Sequence, residues 1–270
     1  MNQSLNNKGE VIKVKKKLLI LGLSLVLVIG IGSLVAAQDL TGDDVLDNVE
    51  ESISADTSQM EFDMVLHSDD GRTRERELIV KRMETDDGVD QGFIRFLAPP
   101  SVEGTGFLSH DYGDDDDMYL FMPAVGSVRR IASGQRDGSF VGTDFTYNDL
   151  SLIGGENYQD DYEATIIEET EDEYILEMVP TDDDIHYDFG EMRVQKSNWF
   201  PVEIELYEDG ELTKRLTNKD IVQVDGYWTA REITMADLVD GTKTVLHMNE
   251  IVYDEPIEEQ IFTTRYLERY

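Results

Sequence analysis

Four histidines, His67, His110, His186 and His247, are the side chains best suited to metal or acid–base chemistry. They stand at no spacing that a metal site uses. Cysteine is absent, which removes thiol nucleophiles, thiolate ligands and disulfides together. A Gly-x-Ser-x-Gly nucleophile elbow is absent too. Carboxylates are too abundant to be diagnostic: 58 Asp and Glu against 23 Lys and Arg give a formal net charge of −35. A pair of acids at glycosidase spacing therefore carries no signal. The Asp-rich runs 114–117 and 182–184 lack the spaced ligands of a calcium loop. No catalytic residue, metal or cofactor is assigned, and the chain reads as a non-enzyme. Arg129 and Arg130 stand out in a chain so poor in cations. Neighbours on a strand face opposite sides, so one is expected inward and one outward. An inward Arg paired with Asp144 or Asp149 would latch a lid, meet an ester or phosphate oxygen, or simply pin a long loop.

The elements that must position these residues are mostly strands. Thr41 is placed to cap a short amphipathic helix over 42–54, with Asp43 and Asp44 in its first turn and Val45, Leu46, Val49 and Ile53 on one face. After it the apolar period becomes two. Met60, Phe62, Met64 and Leu66 share a face opposite Glu61, Asp63 and His67. Val202, Ile204 and Leu206 alternate with Glu203, Glu205 and Tyr207, and Leu246, Met248 and Val252 oppose His247 and Asn249. Asp-Gly pairs at 70–71, 87–88, 137–138, 209–210, 225–226 and 240–241 suit tight hairpin turns. The pattern predicts thirteen up-and-down strands near 59–68, 73–85, 89–97, 105–111, 117–122, 126–132, 162–169, 173–180, 187–196, 200–208, 211–223, 227–238 and 242–254, then a short terminal helix over 261–270. The fold class is mostly β: one large, strongly curved antiparallel sheet or half-open barrel with few helices. The Gly104–Gly106 stretch, followed by neither a helix start nor Lys, is expected to be a tight turn or bulge. In 117–122, Met118, Leu120 and Met122 point one way and Tyr119 and Phe121 the other, so that strand is covered on both faces. One cover is core, the other ligand or lid. The stretch 132–155 breaks the alternation and is too long for a hairpin loop, which marks it as functional.

The N-terminus reads as an export signal: Lys13, Lys15, Lys16 and Lys17, an apolar run over 18–35, then Ala36-Ala37. Cleavage after Ala37 would leave a single domain over 38–270; an uncleaved anchor is the alternative. No Cys follows the run, so the chain is not itself a lipoprotein. Five Lys and one Glu lie in residues 1–37, leaving the remainder near −39. Such a surface excludes nucleic acid, whose phosphates need Lys and Arg, and docking on an anionic membrane through a basic patch. It suits a salt-rich milieu that screens self-repulsion. The protein is expected to work as a monomer.

Between residues 96 and 152 several short motifs follow one another: Pro100, Gly104-Thr105-Gly106-Phe107-Leu108, Asp116-Asp117, Leu120 with Pro123, Arg129-Arg130-Ile131, Ser139-Phe140, Gly142-Thr143-Asp144-Phe145 and Tyr147-Asn148-Asp149-Leu150. In this order they resemble the outer-membrane lipoprotein-sorting proteins with a LolA-like domain. Gly134-Gln135 and His110-Asp111 depart from that pattern. The resemblance implies a half-open β-barrel with an apolar concave face under lid helices. It also implies a periplasmic or otherwise extracytoplasmic carrier of acyl chains of lipids or lipoproteins, with an RND-type (MMPL-like) transporter as a partner. Cavity or lid residues are then expected among Phe62, Met64, Phe107, Met118, Leu120 and Met122 on strands, and Arg129, Arg130, Phe140, Asp144, Phe145 and Tyr147 in or beside the long loop. Met suits a surface that adapts to irregular chains. The alternative function is a lipid-free adaptor or sensor contacting an envelope transporter.

Overall fold

The computed structural model describes residues 40–112, 116–154, 158–182 and 184–269. The export signal with its cleavage after Ala37, and parts of both Asp-rich runs, lie outside the described residues. Helix α1 (Gly42–Ile53) begins with a capping box: Thr41 Oγ1 accepts from the Asp44 amide at 3.1 Å, and Asp44 returns a carboxylate oxygen to the Thr41 amide at 2.8 Å. Val45, Leu46 and Val49 are fully buried.

Thirteen strands follow: β1 (Thr57–His67), β2 (Thr73–Glu84), β3 (Asp90–Ala98), β4 (Gly106–Asp111), β5 (Asp116–Met122), β6 (Ser127–Ile131), β7 (Tyr162–Glu169), β8 (Glu173–Pro180), β9 (Phe189–Gln195), β10 (Pro201–Glu208), β11 (Glu211–Val224), β12 (Tyr227–Asp237) and β13 (Thr242–Tyr253). They form one antiparallel sheet in the order β6-β5-β4-β3-β2-β1-β13-β12-β11-β10-β9-β8-β7. The first and last strands pair in the middle, and β6 and β7 are the two free edges, so the sheet is not closed. Laid flat, it would be roughly 60 Å wide at about 4.8 Å per strand. Instead a single helix, α1, contacts both β7 and β12, which stand five positions apart in that order, so the sheet is strongly curved. Helix α1 packs on β7 and β12. At its start a side chain at Gly42 would meet the Ala164 carbonyl at 2.2 Å, and Asp43 accepts from the Ala164 amide at 3.1 Å. The helix thereby covers part of the β7 edge, a site that otherwise invites pairing with another chain.

Five of the six Asp-Gly pairs lie in hairpin turns. Asp209-Gly210 and Asp225-Gly226 have positive φ at both residues (52° and 77°, 52° and 109°), the geometry that matches strand twist in two-residue turns. Asp137-Gly138 instead lies in the long connection between β6 and β7. The expected face of β13 needs one correction. Glu61 pairs with Glu250 but Phe62 pairs with Met248, so Asn249 is an extra residue. This bulge reverses the alternation: Ile251 and Tyr253 turn to the core side, and Val252 turns away. The chain's end forms two short turns, Glu259–Phe262 and α4 (Thr264–Leu267), in place of one helix. No helix among the described residues is long and apolar enough to cross a membrane.

The two-sided apolar strand β5 has a simple explanation. Leu120 belongs to the main core on the concave face, whereas Phe121 joins a second cluster with Phe93, Leu108, Ile261, Phe262 and Leu267. The cover on the convex side is the chain's own C-terminal segment, not a ligand. Arg95 holds it, donating to the carbonyls of Gly104 at 2.8 Å and Leu267 at 2.9 Å. His110 Nε2 donates to the Phe262 carbonyl at 2.9 Å. A side chain at Gly106 would strike Leu267 Cδ1 at 2.7 Å and Arg95 Cζ at 3.0 Å, so any larger residue here has to displace the side chains that hold the C-terminal segment.

Candidate functional site

A cavity of about 160 Å³ lies against the concave face of β1 to β5. Its floor is apolar: Met60, Phe62 and Met64 of β1, Leu78 and Val80 of β2, Ile94 of β3, Phe107 of β4 and Met118 of β5. Gly92 in that floor lets the Ser109 side chain approach closely, since a Cβ there would meet Ser109 Oγ at 2.5 Å. A second cavity of about 50 Å³ shares Met60, Arg82 and Ile153 with the first.

The roof is the 132–161 connection, which runs from one free edge of the sheet to the other. It carries short helical turns at Ser133–Gln135 and Asn148–Leu150, then α2 (Ser151–Gly154) and α3 (Tyr158–Asp161). A tight loop bends at its centre: the Phe140 amide donates to the Phe145 carbonyl at 2.7 Å and the Thr143 amide to the Phe140 carbonyl at 3.0 Å. Val141 has φ 50° and Gly142 φ 72°; a β-branched residue there is strained. Phe140, Phe145, Tyr147, Leu150 and Ile153 face the cavity. Phe140 packs edge-on against both Phe107 and Tyr147, with ring centres 5.5 and 5.6 Å apart.

Polar contacts tie this roof to both halves of the sheet. Asp144 accepts from the hydroxyls of Thr242 and Thr244 on β13, and its amide donates to Thr244 Oγ1 at 3.0 Å. Asp149, 1% exposed, accepts from the Thr146 amide at 2.8 Å, the Tyr187 hydroxyl at 2.9 Å and Lys214 Nζ of β11 at 2.9 Å. Burial, reinforced by that carboxylate, pushes the Tyr187 phenol up. From β2, buried Arg76 donates to the Val141 carbonyl at 2.9 Å.

Arg129 and Arg130 do not take the expected part. Both are exposed, and neither pairs with Asp144 or Asp149. Arg130 bridges to Asp117 on the adjacent strand at 2.6 Å. Arg129, opposite Leu120, lies near Tyr147 and acts on it electrostatically. The latch partners come from β11 and β13, more than sixty residues away in sequence, where no local pattern could pair them. Of the residues expected at the site, Phe62, Met64, Phe107, Met118, Phe140, Phe145 and Tyr147 line the cavity. Leu120 and Met122 belong to the surrounding core, and Asp144 hydrogen-bonds to Thr242 and Thr244 of β13.

One wall is polar, and sequence reasoning missed it. Asp111 and Asp116 at the β4–β5 hairpin, Asp161 at the end of α3, Asp182 and Asp184 after β8, and Arg136 all border the cavity. Arg136 is 6% exposed and donates to the Asp116 carbonyl at 2.7 Å and its carboxylate at 3.3 Å. Burial, with Asp111 adding to it, lifts Asp116 to about 7. Burial and the neighbouring carboxylates, Asp111 and Asp116 foremost, lift Asp161 to about 7 as well. No group of three or more His, Asp or Glu among the described residues is arranged to hold a metal ion.

Known proteins share this architecture. A family model whose description reads "Uncharacterized protein" matches residues 88–269. A structure from Vibrio parahaemolyticus, described as an outer-membrane lipoprotein-sorting protein domain, is 28% identical with a TM-score of 0.77, over 84% of this chain and 98% of that one. A DUF1329 family protein from Desulfovibrio piger is 24% identical with a TM-score of 0.77, over 83% and 96%. A LolA superfamily protein from Nitrosomonas europaea is 23% identical with a TM-score of 0.67, over 84% and 99%. A search of curated proteins finds no match.

Proposed function

We propose, for a chain that belongs to the family whose model spans residues 88–269 and has the LolA-like fold of a lipoprotein-sorting domain, the role of an extracytoplasmic carrier. It shelters acyl chains of a lipid or lipoprotein beneath the 132–161 roof. The observation that carries this reading is an apolar cavity whose cover is a loop tied down by polar latches, on a sheet left open at both edges. Each acyl methylene moved out of water is worth about 0.8 kcal/mol, so a Met- and Phe-lined floor supplies affinity without fixed polar partners. A cavity of about 150 Å³ holds a molecule the size of benzene, and the 160 Å³ present here is too small for a long chain. Uptake therefore requires the roof to lift. The Asp144 and Asp149 contacts are the latches that hold it.

Export, release of the carrier after Ala37 and delivery to or from an RND-type membrane transporter complete the reading. The small cavity also favours a second reading, a lipid-free adaptor or sensor that uses the same fold to contact an envelope protein. One experiment separates them. The chain has no cysteine, so Asp144→Cys with Thr244→Cys places a single reducible lock across two side chains that already touch. Under the carrier reading the oxidised protein takes up no acylated fluorophore, and reduction restores uptake. Equal uptake by locked and reduced protein would show that the roof does not gate a cavity; uptake by neither form nor by the unsubstituted chain would favour the adaptor.

A further inference from the structure

We infer that the polar wall of this cavity is an acid-controlled seam: carboxyl groups from opposite ends of the sheet meet there, hold the wall closed while they share protons, and part it once all are ionised. The inference rests on the carrier reading for its use, since it names what controls entry to the cavity. Its physical claim can be tested without any ligand.

The seam follows from the topology. Strands β4 and β5 lie beside the free edge at β6, whereas β8 and β7 end the sheet on the other side. Asp111 closes β4 and Asp116 opens β5, directly opposite each other. Asp161 precedes β7, and Asp182 follows β8. All four border one cavity. Each side acts electrostatically on the other, Asp111 and Asp116 on Asp161, and Asp182 on Asp116. Curvature has therefore brought the two ends of the sheet together on acids.

Two cations face the seam. Arg136, at the start of the roof, donates to the Asp116 carbonyl at 2.7 Å and to its carboxylate at 3.3 Å. Arg82 of β2 faces Asp111 and bridges Asp90 at 3.4 Å. Further carboxylates stand behind: Asp160 beside Asp161, Asp184 after Asp182, and Glu50 of α1, which accepts from the Gln159 amide at 3.2 Å. Tyr158 and Tyr162 flank Asp161 as phenols that burial keeps un-ionised. The imidazoles of the region are engaged elsewhere, His110 on the Phe262 carbonyl at 2.9 Å and His186 on Asp137 at 2.8 Å. Carboxylates outnumber cations on a half-buried wall, where salt screens less than at the surface.

Sharing protons relieves the crowding. Asp116 hydrogen-bonds with the Asp111 side chain, a contact that two carboxyls make only while one keeps a proton. Burial, with Asp111 adding to it, holds Asp116 at about 7, and burial with Asp111 and Asp116 holds Asp161 there as well. Raising the pH through 7 thus adds charge to both sides of the seam. Parting it returns these groups to water and toward their ordinary 3.8. One carboxyl that moves this far on opening shifts the opening equilibrium about tenfold between pH 6 and pH 8.

The chain has no cysteine, so spin labels can be placed on exposed residues of the two sides, Tyr112 just after β4 and Val179 on β8. The labelled Tyr112→Cys, Val179→Cys chain is measured by pulsed electron–electron resonance at pH 6 and pH 8 in 1 M NaCl, which screens the general surface charge. The distance between labels is expected to lengthen at pH 8. Asp161→Asn cannot ionise and should suppress most of that change; Asp182→Asn, on the same side, should act in the same sense. Equal distances at the two pH values, or a change that neither variant reduces, would overturn the inference. Uptake of an uncharged acylated fluorophore should speed up about tenfold over the same range. A seam that lengthens with pH while no probe enters at either pH would leave the inference standing and overturn the carrier reading. Uptake across an unchanged distance would do the reverse.

Discussion

Asp149 shows how much depends on single side chains in the roof. It is buried, and its two oxygens serve a backbone amide, a phenol and an ammonium. Asp149→Ala would strand Lys214, itself only 12% exposed at the side chain. Breaking a buried pair from one side costs about 3–5 kcal/mol, and a drop of that size in urea stability at constant m is expected. Asp149→Asn keeps the shape and should cost less. Asp116 and Asp161 give a prediction of opposite electrostatic origin. Their folded values of about 7 lie above the ordinary 3.8, so the native state holds protons that the unfolded chain has already released. Their contribution is fully present below about pH 4 and is lost as pH rises through 7. In high salt, where general repulsion is screened, Tm should fall between pH 6 and pH 8. Asp161→Asn should flatten that fall; an unchanged slope would show that Asp161 titrates normally.

At the scale of elements, the proposed role requires the roof and its latches to open as one unit. Thr244 is fully buried and both donates to the Asp144 carboxylate and accepts from its amide. Thr244→Val keeps the volume and removes both bonds. Hydrogen bonds to a charged partner are worth roughly 1.5–3 kcal/mol, so roof opening, read as the rate of dye uptake in stopped flow, should speed up about tenfold or more. An unchanged rate would place the gate elsewhere. The sequence made the strands legible because every hairpin is local: apolar alternation and Asp-Gly turns predict thirteen strands, and thirteen are present among the described residues. The apolar half of the site was legible too, since Phe140, Phe145 and Tyr147 break the alternation in a stretch too long for a turn. What stayed hidden depends on distance or on one-residue irregularities. Thr244 and Lys214 are ordinary strand residues until the fold brings them to Asp144 and Asp149. Asn249 looks like any polar strand residue, and only pairing with β1 exposes it as a bulge. The cover over Phe121 comes from the far end of the chain, so two apolar faces in 117–122 could not say which of them met a ligand. Arg136 was passed over for the more conspicuous Arg129-Arg130 pair, although all three are rare cations in one acidic segment.

Across the whole molecule the governing quantity is charge. A formal −35 over 270 residues, with several cations already spent in pairs such as Arg215 with Glu205 and Lys196 with Glu169, leaves a surface that repels itself at low ionic strength. At 1 M salt the screening length falls to about 3 Å. Tm should therefore climb steeply between 0.05 and 1 M NaCl, and a flat response would mean that the acids are compensated locally. Under the proposed carrier role, the same charge would keep the chain off anionic membranes and confine its attraction for lipid to the cavity. That confinement is the central claim. Native mass spectrometry, with lipid extraction, of the chain purified in high salt from a membrane-containing host tests it most directly. The account predicts one extractable acylated lipid or acylated peptide per chain, retained through purification and lost on Phe107→Asp. A clean ligand-free mass, with no uptake when acylated lipid is added back, would contradict it.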